Sequence, residues 1–139
     1  MKCDTDPEQS LKWESPYDLS IYGLTMDREI LYQRIEMRVD KMFHNGLVEE
    51  VNGLLKMGYK VGGNALSALG YKEIIPYIYG DCTEQEASDE LKKGTRHFAK
   101  RQLTWFRRDP RIKWFDVFRD GGLSKISEKI LELEKNTIA

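Results

Sequence analysis

"RHFAKRQLTWFRR", residues 96–108, decides how this chain is read. Arg96, Lys100, Arg101, Arg107 and Arg108 crowd into it with no acid among them, yet Phe98, Leu103, Trp105 and Phe106 run through the same stretch. Upstream, Thr83 followed three residues later by Glu86 forms a capping box, and Asp109-Pro110 lies downstream. These signals predict one long helix from 83 to about 108. Successive helical residues turn by about 100°, which places Lys92, Lys93, Arg96, Lys100 and Arg107 on one face. Leu91, Phe98, Ala99, Trp105 and Phe106 fall opposite, a stripe expected to anchor the helix on a core. Such a cationic face suits phosphate contacts, each Lys or Arg releasing condensed counterions. The plainer alternative is a solvated charged helix. Against it stands the absence of Asp and Glu from 92 to 108, since exposed helices interleave both signs in i,i+4 pairs.

A chain of 139 residues can form one compact domain that buries roughly 70% of its unfolded surface. Its 22 basic and 23 acidic residues give a formal charge of −1, so any basic site is local rather than global. Cys3 and Cys82 lack metal-ligand or C-x-x-C spacing and read as reduced thiols. The opening MKCDTDPEQSLKWES has no apolar signal region and no uninterrupted apolar run approaches a membrane span, so a soluble, cytoplasmic protein without membrane partners is expected.

The rest of the chain reads as mostly helical with one or two short strands. "YDLSIYGLT", residues 17–25, suggests a strand, and Thr25 or Asp27 caps a helix from Asp27 to about Phe43, with Gly46 as its stop. "LVEEVNGLLKMG" is a second helix ending at Gly58. "KVGGNALSALG" is a glycine-rich link with a helical turn, and "YKEIIPYIYG" is a short helix that Pro76 kinks or shortens. "IKWFDVF" reads as a strand and "LSKISEKILELEK" as an amphipathic helix.

On the first helix Glu29, Glu36 and Asp40 share an acidic face. Arg34 and Arg38 stand one turn apart, with Arg38 beside the seam of Leu31 and Met42, where partial desolvation would strengthen its planar fork as a phosphate ligand. The alternative is a core-edge arginine paired with an acid elsewhere. No G-x-x-x-x-G-K-[ST] or G-x-G-x-x-G is present, and "GGNALSALG" lacks the lysine of a phosphate loop. His44 and His97 have no flanking ligand pattern, no metal site is expected, and no carboxylate stands out as a general base.

Four blocks, "LTMDREILYQRIEMRVDKMFHNGLVEEV", "SALGYKEIIPYIYG", "TRHFAKRQLTWFRR" and "KWFDV", occur in the order and spacing of the C-terminal portion of the tRNA dimethylallyltransferase, or tRNA isopentenyltransferase, family. "TR-x-x-AKRQ-x-TW-x-R" is specific, and the resemblance covers residues 17 to 118. It implies an α/β parent with a P-loop kinase-like, ATP-binding type of core whose phosphate loop, outside these blocks, binds the diphosphate. The implied reaction moves dimethylallyl from dimethylallyl diphosphate to N6 of the adenine 3′ of the anticodon, with Mg2+ assisting. Residues 1–16 then read as the ragged end of an insertion or an appended tail, and 17–139 as the C-terminal part of the catalytic core domain. The resemblance therefore implies a fragment, inactive and binding no cofactor alone, of a bacterial-type monomeric enzyme.

Residue by residue, the resemblance implies that Arg38 stabilises the departing diphosphate. Ser67, Gly70, Tyr71 and Lys72 match one tRNA-contacting segment, although Ser67 stands where several bacterial members have Arg. Arg96, Lys100, Arg101, Gln102, Thr104, Trp105 and Arg107 match a second. These would hold the anticodon stem-loop while the target adenine is flipped out. Tyr71 is read either as a stacking face for a base or as a core ring. Two other classes stay open: a non-catalytic helical RNA-binding module, and a protein-interaction domain whose basic stripe is incidental.

Overall fold

The structure, a computed structural model, describes residues 17–63 and 66–138. The reading of residues 1–16 lies outside them. The described chain is mostly helical with two short strands, in the order β1 (Ile21–Thr25), α1 (Arg28–His44), α2 (Leu47–Lys56), α3 (Ile75–Tyr79), α4 (Glu84–Phe106), β2 (Ile112–Asp116) and α5 (Gly122–Ile138). It divides into two units: residues 26–104 form one, and the segments before 26 and from 105 onward form the other.

The helix ends are set by local chemistry. Asp27 accepts the Glu29 N–H at 2.8 Å and opens α1. Gly46, at φ +94°, makes the left-handed step between α1 and α2 that a side chain would resist. Pro76 sits in the first turn of α3, where its missing N–H leaves no helical bond unmade, so the helix starts there instead of kinking. At α4 the Thr83 N–H and hydroxyl both donate to Glu86 Oε2, and the Glu86 N–H donates back to Thr83 Oγ1. Those bonds hold the Glu86 carboxyl below its ordinary range.

The core of the 26–104 unit is Val39, Leu47, Val51, Leu66, Ile74, Ile75, Ala87 and Leu91, drawn from α1 to α4 and the turn before α3. Met42, Phe43, Leu54 and Ile78 pack around it. The stripe expected along α4 is covered only in part. Its buried members are Ala87, Ser88 and Leu91, all in the N-terminal half. Phe98, Trp105 and Phe106 are 45%, 65% and 41% exposed, so these rings are not the buried anchor that periodicity predicts. The period is right, but the core supplied by α1 to α3 meets only the first half of α4.

In the other unit β1 and β2 pair in parallel, with Gly23 opposite Trp114. The strand is shorter than residues 17–25 suggest, and it does find a partner. A Cβ at Gly23 would lie 2.6 Å from Trp114 Cε3 and 2.8 Å from Ile112 Cγ2, so glycine makes room for the indole. Ile126 of α5 is fully buried. Tyr22 on β1 donates its hydroxyl to Glu134 on α5, which keeps that carboxyl ionised to lower pH than usual. Arg111 grips Asp109 through Nε and Nη2 at 2.9 and 2.8 Å, fixing the turn ahead of β2.

Burial separates two residues that periodicity treats alike. Leu91→Ala should cost roughly 2–5 kcal/mol through the cavity it leaves, whereas Trp105→Ala should cost about 1 kcal/mol or less, its surface already being wet. Denaturant melts of the two variants measure both.

Candidate functional site

The helix α1 uses its circumference three ways. Ile35 and Val39 are buried. Glu36 and Asp40 point to α4, where Glu36 accepts from Arg96 Nη1 at 3.1 Å and Asp40 pairs with Lys92 Nζ at 2.6 Å. Tyr32, one turn earlier, has the Arg96 guanidinium 5.9 Å and the Arg28 guanidinium 5.1 Å from its ring centroid. Arg38 is two residues from Glu36, hence about 200° around the helix. Arg34, Arg38 and Lys41 share that remaining face; all three are exposed, and no carboxylate pairs with them among the described residues. The partial desolvation expected at Arg38 is not seen: the residue is exposed, and nothing among the described residues covers the guanidinium.

The stripe on α4 is therefore divided. Lys92 and Arg96 are neutralised by α1, and Lys93 pairs with Glu90 at 2.9 Å. The missing acids of 92–108 are supplied mainly by another helix, which periodicity within α4 cannot reveal. Lys100 and Arg101 are exposed and carry no ion pair among the described residues. Arg101 lies 6.0 Å from the Phe98 ring centroid, so the exposed aromatic steadies a cation in place of anchoring a core. Gln102 is exposed, and Thr104 returns its hydroxyl to the Lys100 carbonyl at 2.9 Å. Beyond the unit boundary, Trp105 packs edge-on to Phe106 at 4.9 Å, and Arg107 is exposed just past the helix end.

The turn between α2 and α3 carries the other expected contacts. Ser67 and Lys72 are exposed, whereas Gly70 is buried at φ +110°. The Gly70 N–H donates to Glu73 Oε2 at 2.9 Å. Tyr71 packs against the core and gives its hydroxyl to Glu50 of α2, a bond that pushes the phenol pKa up. The ring itself is half-buried.

Within residues 26–104 the fold thus forms two clusters, Ser67 to Lys72 on the turn and Lys100 to Thr104 on α4. Arg96 is drawn into an ion pair and Arg38 lies on a separate face. Sequence reasoning missed Glu73 and Gly94. The signal available for Gly94 was an isolated glycine inside a strong helical pattern, which marks a close approach. A cleft of about 340 Å³ lined by Asp40, Phe43, His44, Glu84, Gln85 and Ser88 contains none of the expected contacts. Its two carboxylates make it unsuited to phosphate. Among the described residues no three His, Cys, Asp or Glu side chains converge.

The cross-helix pairs should behave as partly screened surface interactions. A double-mutant cycle on Asp40→Ala and Lys92→Ala should return a coupling of about 0.5–1 kcal/mol that shrinks as salt is raised. A coupling indistinguishable from zero at low salt would remove the pair as an element that orients α4.

Comparison with known proteins places this arrangement. The family described as IPP transferase matches residues 3–109. A tRNA dimethylallyltransferase of Carboxydothermus hydrogenoformans is 56% identical over 124 residues, covering 89% of this chain and 39% of that protein. One from Natranaerobius thermophilus is 50% identical over 125 residues, covering 90% and 37%. The crystal structure of a tRNA delta(2)-isopentenylpyrophosphate transferase from Staphylococcus epidermidis is similar at a TM-score of 0.81 and 37% identity, covering 86% of this chain and 39% of that one. That of the full-length tRNA isopentenylpyrophosphate transferase from Bacillus halodurans is similar at 0.70 and 47% identity, covering 73% and 33%. The chain spans about two fifths of the length of the curated relatives it matches. With that family model matched over well more than half of its length, this chain belongs to the IPP transferase family.

Proposed function

We propose that this chain is the tRNA-contacting and leaving-group-stabilising portion of a tRNA dimethylallyltransferase, and that residues 17–139 are the C-terminal part of its catalytic core. The observation that carries the reading is the high identity to tRNA dimethylallyltransferases across nearly the whole chain. The complete enzyme transfers dimethylallyl from dimethylallyl diphosphate to N6 of the adenine 3′ of the anticodon. A phosphate loop in the remainder of the protein holds the diphosphate, Mg2+ is bound outside the residues described, and the enzyme works as a cytoplasmic monomer.

In this reading Lys100, Arg101 and Arg107, with Gln102, Thr104 and Trp105, meet the anticodon stem-loop from α4 and its end. Ser67 and Lys72 meet it from the turn. Arg38 acts on the other substrate. As the bond from the allyl carbon to the diphosphate oxygen breaks, negative charge collects on the departing group, and a guanidinium fork gains most at that moment. The exposure of Arg38 and its lack of a carboxylate partner among the described residues leave the fork available. The bond forming to N6 releases a proton to a general base outside this chain.

Two outcomes test the division of labour. Lys100→Ala and Arg101→Ala should each weaken binding of an anticodon stem-loop and flatten the slope of log affinity against log salt by about one unit or somewhat less, with melting unchanged. Unchanged affinity and slope would leave the α4 cations as a solvated face. In the complete enzyme, Arg38→Ala should lower turnover far more than tRNA affinity, and Arg38→Lys should recover little because a point charge does not replace the fork. Steady-state kinetics with both substrates varied decides this, and normal turnover in Arg38→Ala removes it from the reaction.

A further inference from the structure

The turn from Leu66 to Ile74 is held from beneath in a way its expected RNA contacts do not explain. Gly70 is buried with φ in the left-handed region, and its N–H needs a partner away from water. The partner is Glu73 Oε2 at 2.9 Å. The Glu73 side chain is only 11% exposed, an unusual place for a carboxylate, and its nearest cation, Lys72, stands back at 3.6 Å. Opposite lies α4, at the one position where it has no side chain. A Cβ at Gly94 would come 2.9 Å from Leu69 Cδ1 and 3.7 Å from Glu73 Oε1.

We propose that Glu73 is a positioning residue: its carboxylate, enclosed against α4 at Gly94, ties down the Gly70 peptide and so presents Ser67 and Lys72 outward to RNA. The inference rests on the tRNA-contacting reading above and deepens it. The turn has three pins. Gly70 is tied by Glu73, the Tyr71 hydroxyl is tied to Glu50, and Leu69 is seated over Gly94. Ser67 and Ala68, just before the pinned residues, and Lys72, just after them, are exposed. Leu66 and Ile74, at the two ends of the turn, are fully buried, so a turn freed at Gly70 remains anchored in the core at both ends. The function of the buried carboxylate is thus to remove conformational freedom from a segment that must otherwise be ordered by the RNA itself.

The experiment combines amide hydrogen exchange with titration of an anticodon stem-loop, using this 139-residue chain. Glu73→Ala should speed exchange at Gly70 by about two- to tenfold, the range set by loss of one ordinary hydrogen bond. It should leave the Val51 and Leu91 amides protected and weaken RNA binding about as far as Lys72→Ala does. Glu73→Gln keeps an acceptor oxygen and should hold both readouts within about twofold of the parent. Gly94→Ala should weaken RNA binding while leaving the melting temperature level or raised, since alanine is the better helix former. If Gly70 exchange is unaffected by Glu73→Ala while Lys72→Ala still weakens RNA binding, the positioning role is overturned and the RNA reading survives. Equal damage from Gln and Ala overturns it as well. If RNA binds equally to the parent, Lys72→Ala and Lys100→Ala, the RNA reading itself fails, and with it the presenting role.

Discussion

A helix has one circumference, and how α1 spends it constrains everything else in residues 26–104. Its apolar side, through Ile35 and Val39, closes the core with α2, α3 and α4. Its carboxylates, Glu36 and Asp40, meet Arg96 and Lys92. What remains is a cationic row, Arg34, Arg38 and Lys41, exposed and without a carboxylate partner among the described residues. The core supplies most of the stability, since exposed ion pairs contribute little each. The pairs do something else: they fix which cations of α4 are consumed internally and which stay free. Lys92 and Arg96 are paired within the fold, whereas Lys100 and Arg101 are exposed and carry no ion pair among the described residues.

The exposed half of α4 also changes meaning in this light. Phe98 and Trp105 continue the line of Ala87 and Leu91, yet water reaches them. In a chain that spans about two fifths of its relatives, a stripe can be correct in period and still lack its cover. Arg101 over Phe98 shows what such a ring does meanwhile: its face attracts a guanidinium and limits the rotamers that guanidinium samples.

Much of the fold was legible because it is written in local chemistry. The Thr83–Glu86 box, Asp27 as a cap and Gly46 as a left-handed step act within a few residues, and each appears where the sequence suggests. The family was legible for a different reason, through the spacing of specific blocks. What escaped is non-local. Glu36 and Arg96 are sixty positions apart, so the balance of charge on α4 looked one-sided until α1 was laid beside it. The seat of Leu69 depends on a missing side chain at Gly94, twenty-five positions later. The exposure of Trp105 depends on how far a core extends, a quantity no periodicity contains.

The parallel pairing of β1 with β2 has a consequence for the order of events during synthesis. The whole of α1 to α4 lies between the two strands. Bringing the strand ends together across that length of unfolded chain is entropically costly, and the cost falls once the intervening helices have condensed. On the ribosome β1 leaves the exit tunnel before β2, and a helical unit assembles in the sequence between them. Only after Ile112–Asp116 has followed can the β1–β2 ladder form. Throughout that interval the edge of Ile21–Thr25 that β2 takes is unpaired on the nascent chain. The arrival of β2 therefore also ends the period in which that edge is open to a wrong strand.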